Sequence, residues 1–285
     1  MKTVKLPLIE LDFYKVHKML PKRNPHSHKG DYGRVLLLCG AEGFTGAPVL
    51  AAGAAARTGA GLIFVGVPRS VYPIVAGNLI EPMVFPLPDR NGMLSEEGIP
   101  MILSRLAKMD ACLIGCGLGQ SEGTRAVVKA VLQHATCPVI LDADGINVLA
   151  GHIDIVRDAV CPVILTPHDG EFLRIGGDLS SRLCGVKKMS QALHATVLLK
   201  GHETLICGQG CYRNKTGNAG MATGGSGDAL SGIILALLGQ GVPPTKAAAV
   251  GAWLHGAAGD LCAQELGQMG MLPSDLIEIL PRLLP

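Results

Sequence analysis

Residues 217–232, GNAGMATGGSGDALSG, hold the densest group of chemically useful positions in the chain. Gly224, Gly225, Ser226 and Gly227 make a glycine-rich turn that runs directly into an apolar stretch of helical length. Glycines let successive backbone N–H groups point toward one spot, and a helix start adds roughly half a positive charge there. Such a turn is an anion hole suited to a phosphoryl group. Asp228 falls in the first helical turn beside it, where a carboxylate could take the proton of a hydroxyl attacking phosphorus. No Lys-Ser/Thr pair follows the glycines, so this is not a Walker A loop. The competing reading is an ordinary turn with Asp228 as a helix-start acid.

Other polar groups recur at the ends of apolar runs. In TPHDGE, Glu171 could place Mg²⁺ directly or through water and His168 could hydrogen-bond a ligand. Alternatively, Asp169 and Glu171 only favour a helix start. Lys200, Gly201, His202, Glu203 and Thr204 join two strands. Lys200 could meet a phosphate as a point charge, or the segment is a hairpin with solvated charges. In GCGLG, Gly117 sits in a loose imitation of a dinucleotide fingerprint that fails at Gln120. A tight turn is the alternative. Asp142, Asp144 and Asn147 of DADGIN could bind hydroxyls or cap a helix. Ala47, after Gly46, opens a helix where a ligand could approach closely, and HKGDYG, residues 28–33, could cover a phosphate or be a mobile surface loop. The remaining histidines show no metal-ligand spacing.

Positioning these groups falls to seven short aliphatic runs, at 35–40, 62–68, 111–117, 138–144, 163–168, 196–201 and 203–208. Near-continuous apolar runs fit strands buried on both faces. Helix-length segments at 47–57, 121–135 and 179–194 alternate with them, and helices are expected at 226–239, 245–265 and 274–284. Alternation of this kind argues for a mostly parallel sheet with helices on both faces. GCGLG, DADGIN, TPHDGE and KGHET would all lie at the carboxyl ends of strands, where open α/β sheets bind ligands. No linker or repeat interrupts residues 1–285, so one domain is expected.

With 25 basic and 23 acidic residues and no basic tract, nucleic acid is not an expected partner. The longest apolar stretches are too short for a bilayer, and residues 1–18 lack the apolar region of a signal peptide, so a cytoplasmic protein is expected. The nine cysteines form no C-x-x-C and read as reduced, buried thiols.

Taken in order, HKGDYGRVLLLCG, GAGL, GCGLG, DADGIN, TPHDGE, KGHETLI and GNAGMATGGSGDALSG resemble the ADP/ATP-dependent NAD(P)H-hydrate dehydratase family of the ribokinase-like superfamily. The resemblance runs over nearly the whole chain. It implies a ribokinase-like α/β fold, with Asp228 as the catalytic residue at the hydrated nicotinamide. It further implies Ala47, Gly117 and His168 as dinucleotide contacts and Gly227 with Lys200–Thr204 as nucleotide contacts. Glu171 would help to place Mg²⁺. The GMATGGSGD wording resembles the bacterial branch that uses ADP rather than ATP. A homo-oligomer, a tetramer in the family, is implied, and no nucleic acid or membrane partner. Cys116 and Asp169 depart from the family, which commonly has Pro at both places. The bacterial enzyme is often fused to an epimerase, for which this chain has no room, so action on the S epimer alone is expected, alongside a separate epimerase. Two other readings share parts of the pattern: a ribokinase-like kinase of a small hydroxymethyl heterocycle, and a non-catalytic NAD-binding module built on GCGLG.

Overall fold

The computed structural model describes residues 7–285. In chain order its strands are β1 (Leu8–Glu10), β2 (Arg34–Leu38), β3 (Leu62–Pro68), β4 (Met83–Leu87), a small hairpin of β5 (Asp89–Arg90) and β6 (Met93–Leu94), β7 (Ala111–Ile114), β8 (Val139–Leu141), β9 (Val163–Leu165), β10 (Thr196–Leu199), β11 (Thr204–Cys207) and β12 (Cys211–Asn214). Ten of them form one sheet in the order β1-β12-β11-β10-β9-β8-β7-β2-β3-β4. Every neighbouring pair is parallel except the two that involve β11.

The apolar runs are strands because both of their faces are covered. Along β2, Val35 and Leu37 enter one core while Leu36 and Leu38 enter the other. Ala111 and Leu113 of β7 alternate with Cys112 and Ile114 in the same way. Helices Gly46–Arg57, Ser226–Gly239 and Pro244–Leu266 fill the first face. Helices Ile99–Leu106, Glu122–His134 and Arg182–Leu193 fill the second. Period-two burial on both sides is the signature of a sheet between helical layers. The expected mostly parallel architecture is therefore the one observed.

Two features of packing place the site. The strand order reverses between β2 and β7, because β2 to β4 step outward one way and β7 to β10 the other. The crevice at the carboxyl ends beside this switch is where doubly wound sheets take ligands. The Gly46–Arg57 and Ser226–Gly239 helices also meet backbone to backbone. A side-chain carbon on Gly232 would stand 2.1 Å from the Ala51 carbonyl oxygen, so only glycine permits the approach. The amino ends of both helices are thereby brought to that crevice.

HKGDYG does not reach it. Residues Lys29–Tyr32 form an ordered 3₁₀ turn leading into the amino end of β2. Gly33, at φ +86°, packs on Gly239, at the far end of the helix that begins beside the glycine-rich turn. The segment is on the opposite edge of the sheet and covers no group bound at the carboxyl ends. The six expected helices are found to within a few residues, although the last one stops at Ile279 and continues as a 3₁₀ turn, Leu280–Leu283; the helices Phe13–Met19 and Ile99–Leu106 were not expected. All nine cysteines are free, and all but Cys161 and Cys184 are buried. Among the described residues no helix is long and apolar enough to cross a membrane.

Candidate active site

Each strand from β7 to β10 hands over, at its carboxyl end, a polar residue that turns into the crevice. Asp142 follows β8, Thr166 follows β9, Lys200 follows β10, and Cys116 stands two residues beyond β7. Asp142 is their hub and is only 1% exposed. Its Oδ1 accepts from Lys200 Nζ at 2.9 Å and from Thr166 Oγ1 at 2.8 Å. Its Oδ2 accepts from Ser231 Oγ at 2.9 Å, with Cys116 Sγ at 3.7 Å. Burial alone would raise the proton affinity of Asp142. The Lys200 charge and the three hydrogen bonds outweigh it and hold this carboxyl below its ordinary value. Burial likewise opposes the Lys200 charge, but Asp142 and Glu171 hold its ammonium above the usual lysine value.

Asp228 lies across from this hub. One carboxylate oxygen of Asp142, one of Asp228 and Cys116 Sγ lie within 4.8 Å of one another. Apart from the Cys116 thiol, the Asp228 carboxylate has no hydrogen-bond partner among the described residues. Desolvation and then the Asp142 charge push its pKa up to about 6, against smaller pulls from Cys116 and Lys200. A carboxylate titrating near 6 is ionised at neutral pH yet far more basic than an ordinary one, which suits proton abstraction.

The glycine-rich turn ends in Gly225, the residue before the helix, at φ +92° in the left-handed region. No side chain caps this helix. The Ser226 N–H is bonded to the Thr223 carbonyl at 3.4 Å, while those of Gly227 and Asp228 have no partner within the helix and are left for an acceptor from outside. Gly224 has open space where a side chain would be, and a carbon on Gly227 would sit 3.4 Å from Lys200 Nζ. Gly227 thus keeps the Lys200 ammonium accessible from the turn. Ser226 Oγ meets His255 Nε2 at 3.2 Å, and burial lowers His255 to about 4, so it is neutral.

The expected site residues divide into those gathered here and those set apart. Asp228, Gly227, Lys200 and Glu171 converge, since Glu171 Oε2 is 3.8 Å from Lys200 Nζ. Glu171 also closes the capping box of its helix, whose N-cap is His168: it is 4% exposed and accepts from the His168 backbone N–H at 2.8 Å. The helix-start reading of TPHDGE is thus observed, and the same carboxylate also faces Lys200. His168 is exposed beside it. Gly117, at φ +60°, faces Ala47, with 2.9 Å between its added carbon and Ala47 Cβ. These two, next to Cys116, form a second wall of the crevice.

Lys200–Thr204 is indeed the β10–β11 hairpin, but Lys200 is not a solvated charge. Gly201 lies against Arg182, whose NH2 donates to the Lys200 carbonyl at 3.0 Å. Glu203 pairs with Arg213 at 3.4 Å, away from Asp142, and His202 is exposed. The GCGLG turn does not act as a dinucleotide fingerprint: Gly119 N–H donates to Asp144 Oδ2 at 2.9 Å, and Asp142 is spent inside the network. Thr166, Ser231 and Cys116 had no expected role. Only their places after strands or inside the Ser226–Gly239 helix hinted at one.

With this geometry in view, comparison with known proteins is decisive about family. The family model described as NAD(P)H-hydrate dehydratase matches residues 35–282. A bifunctional NAD(P)H-hydrate repair enzyme of Moorella thermoacetica is 44% identical over 93% of this chain and 52% of its own length. The chain thus spans about half the length of such bifunctional relatives. An ADP-dependent (S)-NAD(P)H-hydrate dehydratase of Neisseria meningitidis is 38% identical, covering 89% of this chain and 86% of that protein. Among solved structures, the Bacillus subtilis ADP/ATP-dependent NAD(P)H-hydrate dehydratase co-crystallised with ATP/Mg²⁺ matches with TM-score 0.83 and 33% identity over 99% of this chain and 98% of that one. A ribokinase-like superfamily protein of Enterococcus faecalis matches with TM-score 0.85 and 28% identity over 96% and 94% of the two chains. The fold is ribokinase-like.

Proposed function

The chain belongs to the NAD(P)H-hydrate dehydratase family, and from that premise we propose that it is an ADP-dependent (S)-NAD(P)H-hydrate dehydratase. The observation that supports this most is Asp228, a basic and nearly unpartnered carboxylate set between an open helix start and a fixed lysine. Residues 1–285 act in this reading as one catalytic unit, found in the cytoplasm and assembled as a homo-oligomer.

Hydration places a hydroxyl on C6 of the reduced nicotinamide, and hydroxide is a poor leaving group. Asp228 accepts the hydroxyl proton as the oxygen attacks the terminal phosphorus of ADP. The N–H groups of Gly224 to Gly227 hold the transferring group, and Lys200 neutralises charge beside it. Ala47, Gly117 and His168 line the path of the dinucleotide, while Gly201 to Thr204 border the nucleotide. The ring nitrogen then expels phosphate, and loss of a C5 proton restores NAD(P)H, with AMP and phosphate as co-products.

The acidic groups fit a Mg²⁺ carried mainly by the nucleotide phosphates. Asp142 has both oxygens engaged, and the buried Glu171 is already bonded to His168 N–H, so Glu171 would reach the ion through water. Bound there, Mg²⁺ would supply neutralisation of phosphate charge.

The test incubates the protein with S-hydrated NADH, Mg²⁺ and either ADP or ATP. Return of the near-ultraviolet nicotinamide absorbance with one AMP and one phosphate per NADH is expected, faster with ADP. NADH restored without nucleotide consumption refutes the phosphorylation step, and a stable phosphorylated product makes the protein a kinase. Faster turnover with ATP overturns the ADP preference alone.

A further inference from the structure

Asp142 takes no part in the chemistry above, yet it is the most enclosed acid at the strand ends, at 1% exposure. Donors from three separate elements converge on it: Lys200 after β10, Thr166 after β9 and Ser231 on the Ser226–Gly239 helix. A buried ion pair is poor value for stability alone, since an apolar replacement commonly does as well. A second carboxylate, Asp228, stands within 4.8 Å of it, and like charges at that distance disfavour one another. The next residue, Ala143, is held at φ +49° and ψ −115°. A side-chain-bearing residue in that region is strained, and such strain persists only where the surroundings impose it.

We propose that Asp142 is a positioning residue for the dehydration: it fixes the Lys200 ammonium beside Gly227 and sets its own negative charge against Asp228. Two consequences follow. Lys200 is held where the transferring phosphoryl group must pass, rather than drifting toward Glu171, whose carboxylate is 3.8 Å away. Asp228 is kept a stronger base than an isolated carboxylate by a neighbour that cannot leave. The other groups acting on Asp228 do not do this: Cys116 and Lys200 both pull the opposite way, and His255, on the Pro244–Leu266 helix and bonded to Ser226 Oγ, is neutral.

This inference rests on the dehydratase reading, but its test has arms that do not. Asp228 is followed by carbon NMR of aspartate carboxyl groups in the wild type and in Asp142→Asn, and ADP–Mg²⁺ binding is measured by calorimetry. The Asp228 midpoint should fall by about one pH unit and ADP Kd should rise about 10-fold. The acid limb of kcat/KM should move down with the midpoint, which a merely structural role would leave in place. An unmoved midpoint with unchanged ADP affinity in folded Asp142→Asn overturns the proposal. Because that variant strands a buried lysine, Asp142→Asn/Lys200→Met is the second arm, with both charges removed. There the midpoint should still lie below the wild type, and ADP should bind no more weakly than to Lys200→Met alone. A midpoint at or above the wild-type value overturns the proposal in that arm. If these shifts appear but the wild type restores no NADH, the positioning stands and the substrate assignment falls.

Discussion

Replacing Asp228 by Asn should make the protein inactive and more stable at once, and the structure gives the size of both effects. The fold raises this carboxyl from an ordinary 3.8 to about 6 by desolvation and by the Asp142 charge. The folded state therefore favours the protonated acid. Its contribution to stability is fully present below 3.8, is lost as pH rises toward about 6, and is absent above that. At pH 8 the ionised group weighs against folding by roughly 2–3 kcal/mol, and a neutral amide of the same shape removes that burden. For a chain of 285 residues this corresponds to a Tm increase of about 4 °C. The gain should vanish near pH 4, where the wild-type acid is itself neutral. Turnover should meanwhile fall about 10²–10⁴-fold through loss of the base. Scanning calorimetry of both proteins at pH 4 and pH 8, with the NADH-restoration assay alongside, checks both. A Tm at pH 8 that does not rise would show that Asp228 carries no buried-charge penalty. Retained activity would remove it from the mechanism.

Three further outcomes are expected. Because Asp228 must be ionised to act, kcat/KM should fall about tenfold per pH unit below about 6; a flat profile between pH 5 and pH 8 contradicts this. Gly227→Ala places a carbon 3.4 Å from Lys200 Nζ inside a helix, so the nucleotide KM should rise about 10-fold while Tm holds or gains, since alanine favours helix by about 1 kcal/mol; an unchanged KM in steady-state kinetics would exclude Gly227 from the nucleotide path. Glu171→Gln retains a side chain able to cap His168 N–H but loses the charge facing Lys200; Tm should stay within about 2 °C and the Mg²⁺ concentration for half-activity should increase, whereas an unaltered Mg²⁺ titration would leave Glu171 as a helix cap alone.

Local pattern was enough for the central strands and the helix that begins the site. Runs such as VLLL and VIL are apolar on both faces because helices cover both, and that shows in composition without any knowledge of neighbours. The glycines before Ser226 and the acid after it announce a helix start and an anion site by backbone chemistry alone. The short or interrupted strands were not legible. β1 has only three residues, β4 is an edge strand containing Pro86, and β12 reads CYRN, with polar residues in half its length. Tertiary structure alone decided which polar loop faces which. HKGDYG looked as suitable for phosphate as KGHET, but the direction of β2 puts it on the far edge of the sheet. Asp142 and Lys200, separated by 58 positions, become an ion pair only because β8, β9 and β10 lie side by side. The raised proton affinity of Asp228 likewise exists only after folding, since it comes from burial and from a charge 86 residues away in the chain. Sequence sets which groups are available at the strand ends; strand order and burial set the distances and the local dielectric, and through those the charges, on which the chemistry depends.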